Sequence, residues 1–230
     1  AALVAGQTRL YGQVAPAAGS ANGDIRVGVV GLNQQGKGHM LDYCTKLKGA
    51  RLVAICDVDS KVLADRKADC EKVGVKPTTY VDYRKMLEDK NIDAIVIATP
   101  NHQHSLMTIW ALQAGKDVYC EKPLTHNIHE AIELVKAVRK ANRVFQTGSQ
   151  QRSSKEFRIA AELVRNGVLG KLSAVHVSFG PPAAPFREPA EALEPGLDWD
   201  RWCGPGPLVH YSSVLSPRGV HDHFPKWRDT

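Results

Sequence analysis

IRVGVVGLNQQG, residues 25 to 36, is the stretch whose reading decides the fold. Residues 25 to 30 form a short, apolar, β-branched run, the pattern of a strand buried on both faces. Gly31 and Gly36 then punctuate the chain, and a helical pattern runs from there to about Leu47. Strand, glycine loop and helix fit G-x-G-x-x-G with Asn33 in the middle position. Gly31 permits the tight turn, Gly36 lets the helix pack close to the strand, and the helix N-terminus offers free N–H groups to a pyrophosphate. Asn33 tolerates left-handed backbone geometry, but its side chain crowds a phosphate. Many loops hold two glycines, so this degenerate loop is weak evidence by itself.

Working outward, residues 52 to 56 read as a second buried strand ending in Asp57, which lies 21 residues beyond Gly36. An acidic residue about 20 residues on accepts hydrogen bonds from the ribose hydroxyls of NAD and repels a 2′-phosphate, so NAD is expected over NADP. The alternative role for Asp57 is capping the turn before Ser60, which itself suits the N-cap of a helix reaching about Val73. Further strands are expected at 94 to 98, 118 to 120 and 144 to 147, with helices at 102 to 114 and 127 to 140. Asn127 with Glu130 resembles a capping box. Strands alternating with helices predict an α/β fold with a doubly wound parallel sheet.

After Gly148 the character changes. Residues 153 to 166 read as a helix, and 173 to 179 (SAVHVSF) alternate as a half-buried strand would. From Gly180 the chain is rich in Pro, Gly, Trp and His. A compact domain rarely carries about 50 structureless residues, so a second domain continuing past Thr230 is expected. The organisation is therefore 1–23 as leader remnant and linker, 24–148 as the dinucleotide domain, and 149–230 as a partial substrate and oligomerisation domain, with a homo-oligomer expected at full length. The second part is expected to be open to protease while the first folds and binds dinucleotide. Ala15-Pro16-Ala17 suits an export cleavage site, the alternative being a disordered cytosolic tail.

Composition is that of an ordinary globular protein, with 43% hydrophobic and 23% charged residues. The net charge of +6, from 30 basic and 24 acidic residues, suits an anionic ligand. No basic block interleaved with aromatics points to nucleic acid, and no apolar run approaches the ~18 residues of a membrane span. The five cysteines include no C-x-x-C pair and suggest neither a disulfide framework nor a zinc site.

The ordered motifs GVVGLNQQGKGH, AICDVD, IATPNHQH, CEKP and GSQQR resemble the Gfo/Idh/MocA oxidoreductases, over about residues 24 to 230. The resemblance implies a Rossmann domain followed by a domain built on a large, open, mostly antiparallel sheet. It implies that Gly31, Asn33, Gln34, Gln35, Gly36, Asp57, Thr99, Pro100, Asn101, His104 and Gln150 surround the dinucleotide, with Glu121 and Lys122 near the nicotinamide. It also implies a cis Lys122–Pro123 bond, and it sends Arg152, Arg218, His221 and His223, with Trp227 and Arg228, toward a substrate cleft, the alternative for the tail being a structural loop. The resemblance further implies a later histidine motif, often a second acid/base, that would lie beyond Thr230.

The implied activity is NAD-dependent hydride transfer to or from a hydroxyl of a sugar, polyol or sugar derivative. Lys122, expected partly buried, is the candidate to accept the hydroxyl proton; the alternative is a surface lysine in a tight turn. His102 with His104, His126 with His129, and His221 with His223 lack a completing carboxylate or cysteine at metal-site spacing, so no metal is expected, and the first two pairs, at helix starts, are expected to be capping or solvated. The same family contains NAD-dependent glycosidases that use transient oxidation, and a non-catalytic dinucleotide-binding module is the third reading.

Overall fold

The computed structural model describes residues 23–178, 185–215 and 218. The leader-like stretch apart from Gly23, and the candidates His221, His223, Trp227 and Arg228, lie outside the described residues. The chain runs β1 (Ile25–Val30), α1 (Gln35–Thr45), β2 (Ala50–Cys56), α2 (Ser60–Lys72), β3 (Thr78–Tyr80), α3 (Tyr83–Glu88), β4 (Ala94–Ile97), α4 (His104–Gln113), β5 (Asp117–Glu121), α5 (Ile128–Ala141), β6 (Phe145–Gly148), α6 (Lys155–Arg165) and α7 (Trp199–Cys203). Short 3-10 turns occupy Asn101–Gln103, Gln150–Ser153 and Ser213–Leu215.

The six strands form one sheet in the order β3-β2-β1-β4-β5-β6, and every pair is parallel. Strand order reverses between β1 and β4. Such a switch point opens a crevice at the carboxyl ends of the strands. The central strands are apolar on both faces because both faces are covered. Val27, Val29, Leu52 and Ile55 pack with Met40, Val62 and Leu63 on one side. Val30, Ala54, Ile95 and Ile97 pack with Met86, Met107, Ala111 and Leu112 on the other. Gly28 is closely covered: a Cβ there would meet Met86 Cε at 2.2 Å, so the end of that methionine would have to shift. The Arg26 guanidinium grips Asp93 through both carboxylate oxygens, at 2.6 and 2.8 Å, tying the start of β1 to the approach to β4.

Several details differ from the sequence reading. β3 and α3 fill residues that had carried no element; the available signal was Asp82, whose carboxylate accepts from Arg84 N, followed by Tyr83, Met86 and Leu87 at helical spacing. The N-cap of α2 is Asp59, not Ser60, because Asp59 Oδ1 already accepts from Lys61 N and Val62 N. The Asn127 cap of α5 is present, with Glu130 N donating to Asn127 Oδ1 at 2.9 Å. The strand expected at 173–179 is not formed: residues 173–178 are irregular and exposed. A strand needs a neighbour to satisfy its backbone groups, and none approaches it among the described residues. Residues 185–215, read as structureless, instead carry their own apolar cluster of Leu197, Trp199, Trp202, Cys203, Tyr211 and Leu215.

Candidate active site

The loop after β1 folds as its glycines require. Gly31 has φ 78°, and a Cβ there would lie 2.7 Å from the Ala98 and Thr99 backbone. A Cβ on Gly36 would lie 1.7 Å from Gly31 O, so the start of α1 rests directly on the loop. The left-handed residue is Gln34, φ 41°, rather than Asn33. Asn33 Oδ1 instead accepts from the next residue's backbone, Gln34 N, at 3.1 Å.

Asp57 ties two loops together. Its Oδ2 accepts from Leu32 N at 2.8 Å and its Oδ1 from Asp59 N at 3.0 Å. The turn-capping role is therefore real, and each oxygen keeps a lone pair for a ligand hydroxyl. Burial pushes the Asp57 carboxyl up to about 6, against the backbone hydrogen bonds that pull it down.

Glu121 closes the other end of the cleft. It is 5% exposed, and its Oε1 faces His39 Nε2 at 2.7 Å and accepts from Gln150 Nε2. Burial pushes this carboxyl up, but the His39 and Gln150 hydrogen bonds outweigh it and hold the group below the usual value. Glu121 thus joins α1, β5 and the turn after β6. Lys122 follows at a cis Lys122–Pro123 bond and is exposed on the cleft edge, not partly buried. Of the two neighbours, Glu121 is the buried one.

Of the two described histidine pairs, the first departs from expectation and the second does not. His104 is buried rather than solvated, its Nδ1 2.7 Å from Pro123 O and its Nε2 2.8 Å from Thr99 O. Burial pushes its pKa down, against the pull of both carbonyls. It pins the Lys122–Pro123 turn to the loop after β4. His102 places Nε2 3.0 Å from Trp202 O. His126 and His129 are exposed.

Together these elements enclose a cleft of about 780 Å³. Gly31, Asn33, Gln34, Gln35, Asp57, Thr99, Pro100, Asn101, His104, Glu121, Lys122 and Gln150 all line it. Gly36 supports the loop from behind. Arg152 is exposed on the turn after β6 and does not line the cleft. Arg218 is a correction of placement: it pairs with Asp59 and donates to Pro195 O, away from the cleft, because a buried carboxylate demands a partner. The sequence reading missed Tyr83, Gln103, Trp202 and Leu215 on the cleft wall. Trp199 and Trp202, three apart after the capping Asp198, were the signal for the last segment.

The residues fit an NAD dinucleotide: a loop at a helix N-terminus bounded by Gly31 and Gly36, where a Cβ would strike backbone, and a buried carboxylate at the end of the adjacent strand. The Gfo/Idh/MocA profile, described as an oxidoreductase family with an NAD-binding Rossmann fold, matches residues 25–149. A myo-inositol 2-dehydrogenase of Thermotoga maritima is 33% identical over 161 residues, 70% of this chain and 47% of that protein. A glycosyl hydrolase family 109 protein of Shewanella woodyi is 32% identical over 154 residues, 64% of this chain and 32% of that one. The crystal structure of scyllo-inositol dehydrogenase from Lactobacillus casei, with bound NAD(H) and scyllo-inositol, superposes with a TM-score of 0.59 at 32% identity, covering 64% of this chain and 42% of that one. The chain spans less than half the length of each of these relatives. The profile match takes in more than half of the chain and describes the sheet and loop seen here, so the chain belongs to the Gfo/Idh/MocA oxidoreductase family and carries its NAD-binding Rossmann fold.

Proposed function

We propose that this chain supplies the cofactor site of an NAD-dependent dehydrogenase acting on a hydroxyl of a polyol, sugar or sugar derivative. The observation that carries this is the meeting, in one cleft, of the Gly31–Gly36 loop, Asp57 and the Glu121–Lys122 turn. Bound NAD supplies the hydride acceptor. The chain supplies the rest: loop N–H groups for the pyrophosphate, Asp57 for the adenosine ribose, and a turn held rigid by Glu121 and His104. Oxidation of a carbinol releases a proton as well as a hydride, and the Lys122 amine at the cleft edge takes that proton and returns it in the reverse direction. The names of the inositol dehydrogenase relatives favour a polyol.

With NAD and a panel of inositols, Lys122→Ala lowers turnover by about 10²–10⁴, the usual weight of a general acid/base, while NADH affinity changes far less. Turnover surviving within a few-fold removes Lys122 from proton transfer. Absence of NAD binding removes the whole reading.

The Shewanella woodyi relative favours a second reading, an NAD-dependent glycosidase in which oxidation is transient. Release of the aglycone from an aryl glycoside with no net NADH would select it.

A further inference from the structure

The turn after Asp57 is held from far along the chain. Val58, Asp59 and Ser60 are consecutive, and each is bonded to a residue near the end of the described chain. Asp198 N donates to Val58 O at 3.0 Å and Ser60 N to Gly196 O at 2.9 Å, an antiparallel bridge at Asp59 and Leu197. Asp59 is fully buried, and both its oxygens accept from the Arg218 guanidinium, at 2.5 and 2.7 Å. Arg218 also donates to Pro195 O at 2.7 Å, and so ties the turn and the later segment to one another. Gly196 is fitted to this contact: its φ is 83°, and a Cβ there would lie 2.1 Å from Ser60 Oγ. The middle residue of the turn is the one that reaches the ribose acid. Asp59 N donates to Asp57 Oδ1 at 3.0 Å, while Leu32 N donates to Oδ2 at 2.8 Å.

From this chain of contacts we propose that Arg218 and Asp59 are positioning residues for the ribose acid: they set the Asp57 carboxylate in the cleft, and with it the preference for a ribose hydroxyl over a 2′-phosphate. The proposal rests on the dinucleotide reading above, in which Asp57 accepts from the ribose. A carboxylate recognises hydroxyls in a defined direction only if its own plane is fixed, because its lone pairs lie near that plane. Two backbone N–H groups fix the Asp57 plane, one from each loop. The Leu32 donor is set by the turn that Gly31 begins. The Asp59 donor belongs to a turn whose N–H and C=O groups need partners outside it. Those partners are Gly196 O and Asp198 N, with the Arg218 guanidinium on the side chain between them. Neither Asp59 nor Arg218 lines the cleft, so each acts on a ligand through Asp57.

The test uses ADP-ribose and ADP-ribose 2′-phosphate, titrated calorimetrically at a temperature where circular dichroism shows each protein folded. Arg218→Met should lower ADP-ribose affinity about 10-fold, the lower end of what a hydrogen bond to a charged group supplies. It should narrow the preference over the 2′-phosphate by a similar factor. Arg218→Lys, which keeps the charge without the paired N–H groups, should lie between. Partial unfolding weakens both ligands alike and leaves their ratio unchanged, so the ratio separates positioning from stability. Affinities for both ligands unchanged in folded Arg218→Met, or both lowered equally, overturn this proposal and leave the dinucleotide reading standing. Should Arg218→Met fail to fold, amide hydrogen exchange of the unmutated protein decides the matter. Coupling is reciprocal, so a ligand that needs Asp57 in place also secures the contacts that place it. ADP-ribose should then slow exchange at the Ser60 and Asp198 amides by about 5-fold or more, together with those of Leu32 and Asp59. Unchanged exchange at Ser60 and Asp198 in the bound protein overturns the proposal. Failure of the unmutated protein to bind ADP-ribose at all overturns both.

Discussion

Helix α6 and the segment 185–215 both follow the sheet, and they meet opposite fates. α6 is regular and strongly amphipathic, yet every one of its residues is exposed, including Phe157, Leu163 and Val164. The later segment is mostly irregular, with one short helix, and yet it buries Leu197, Trp199, Trp202 and Leu215 and bonds to two loops of the sheet domain. Regularity and fixation are separate properties. A helix satisfies its own backbone and can stand without packing, whereas irregular chain is held only where other groups take its N–H and C=O.

The comparison predicts a graded response to substitution. Trp199 sits at the centre of the irregular segment, stacked on Trp202, edge-on to Tyr211, and donating from Nε1 to Val209 O at 2.7 Å. Trp199→Ala should cost about 3–5 kcal/mol by urea unfolding, the usual range for a buried aromatic. It should also open residues 185–215 to trypsin at Arg187 and Arg201. A loss under about 1 kcal/mol would mean that the segment is not an integral part of the fold.

Arg218→Met comes next. It leaves the fully buried Asp59 without its bidentate partner, which typically costs about 3 kcal/mol or more when the partner is wholly buried. Arg218 keeps 19% of its side chain exposed, so about 2 kcal/mol is expected. Asp59→Asn made together with Arg218→Met should recover part of this, since no buried charge then remains. Equal loss in the single and double variants would show that the ion pair is not what holds the two regions together.

Asp57, where the two regions meet, sets a pH dependence. Its folded value, raised to about 6, lies above the usual 3.8, so the folded state holds this proton more tightly than the unfolded chain does. The group's contribution to stability is thus fully present below about 3.8 and is lost as pH rises through about 6. The loss is on the order of 3 kcal/mol. Cofactor binding runs the other way, because the ionised form accepts from the ribose. NAD affinity should fall as pH drops below about 6, and Asp57→Asn should flatten both trends. Affinity constant between pH 5 and 7 would remove Asp57 from the ribose contact. The same residue should favour NAD over NADP, and tighter NADP binding would reverse that assignment.

The smallest effect belongs to α6. Phe157 is 59% exposed, so Phe157→Ser should change stability by less than about 0.5 kcal/mol. A loss above about 1 kcal/mol would mean that its apolar face is covered in solution, and the contrast with the later segment would weaken. Limited proteolysis gives the same contrast directly. Trypsin should cut first at Arg165 and Lys171, both exposed, and the 185–215 fragment should stay bound to the sheet domain. This refines the sequence expectation that everything after about residue 149 is equally open.

Residue order alone determined the alternating sheet, the loop at Gly31–Gly36, the acid at Asp57 and the turn at Glu121–Lys122, because each is a local pattern. Apolar runs make strands buried on both faces, and glycines mark where a Cβ has no room: at Gly36 it would strike Gly31 O at 1.7 Å. Tertiary structure decided the rest, because those outcomes depend on partners far along the chain. Asp59 meets Arg218 across 159 residues, and Gln103 reaches Trp202 across 99. Glu121 finds His39 82 residues earlier and so becomes a buried anchor, leaving Lys122 in solvent. Residues 173–178 alternate like a strand and still form none, because a strand's hydrogen bonds lie outside its own sequence whereas a helix's lie within it.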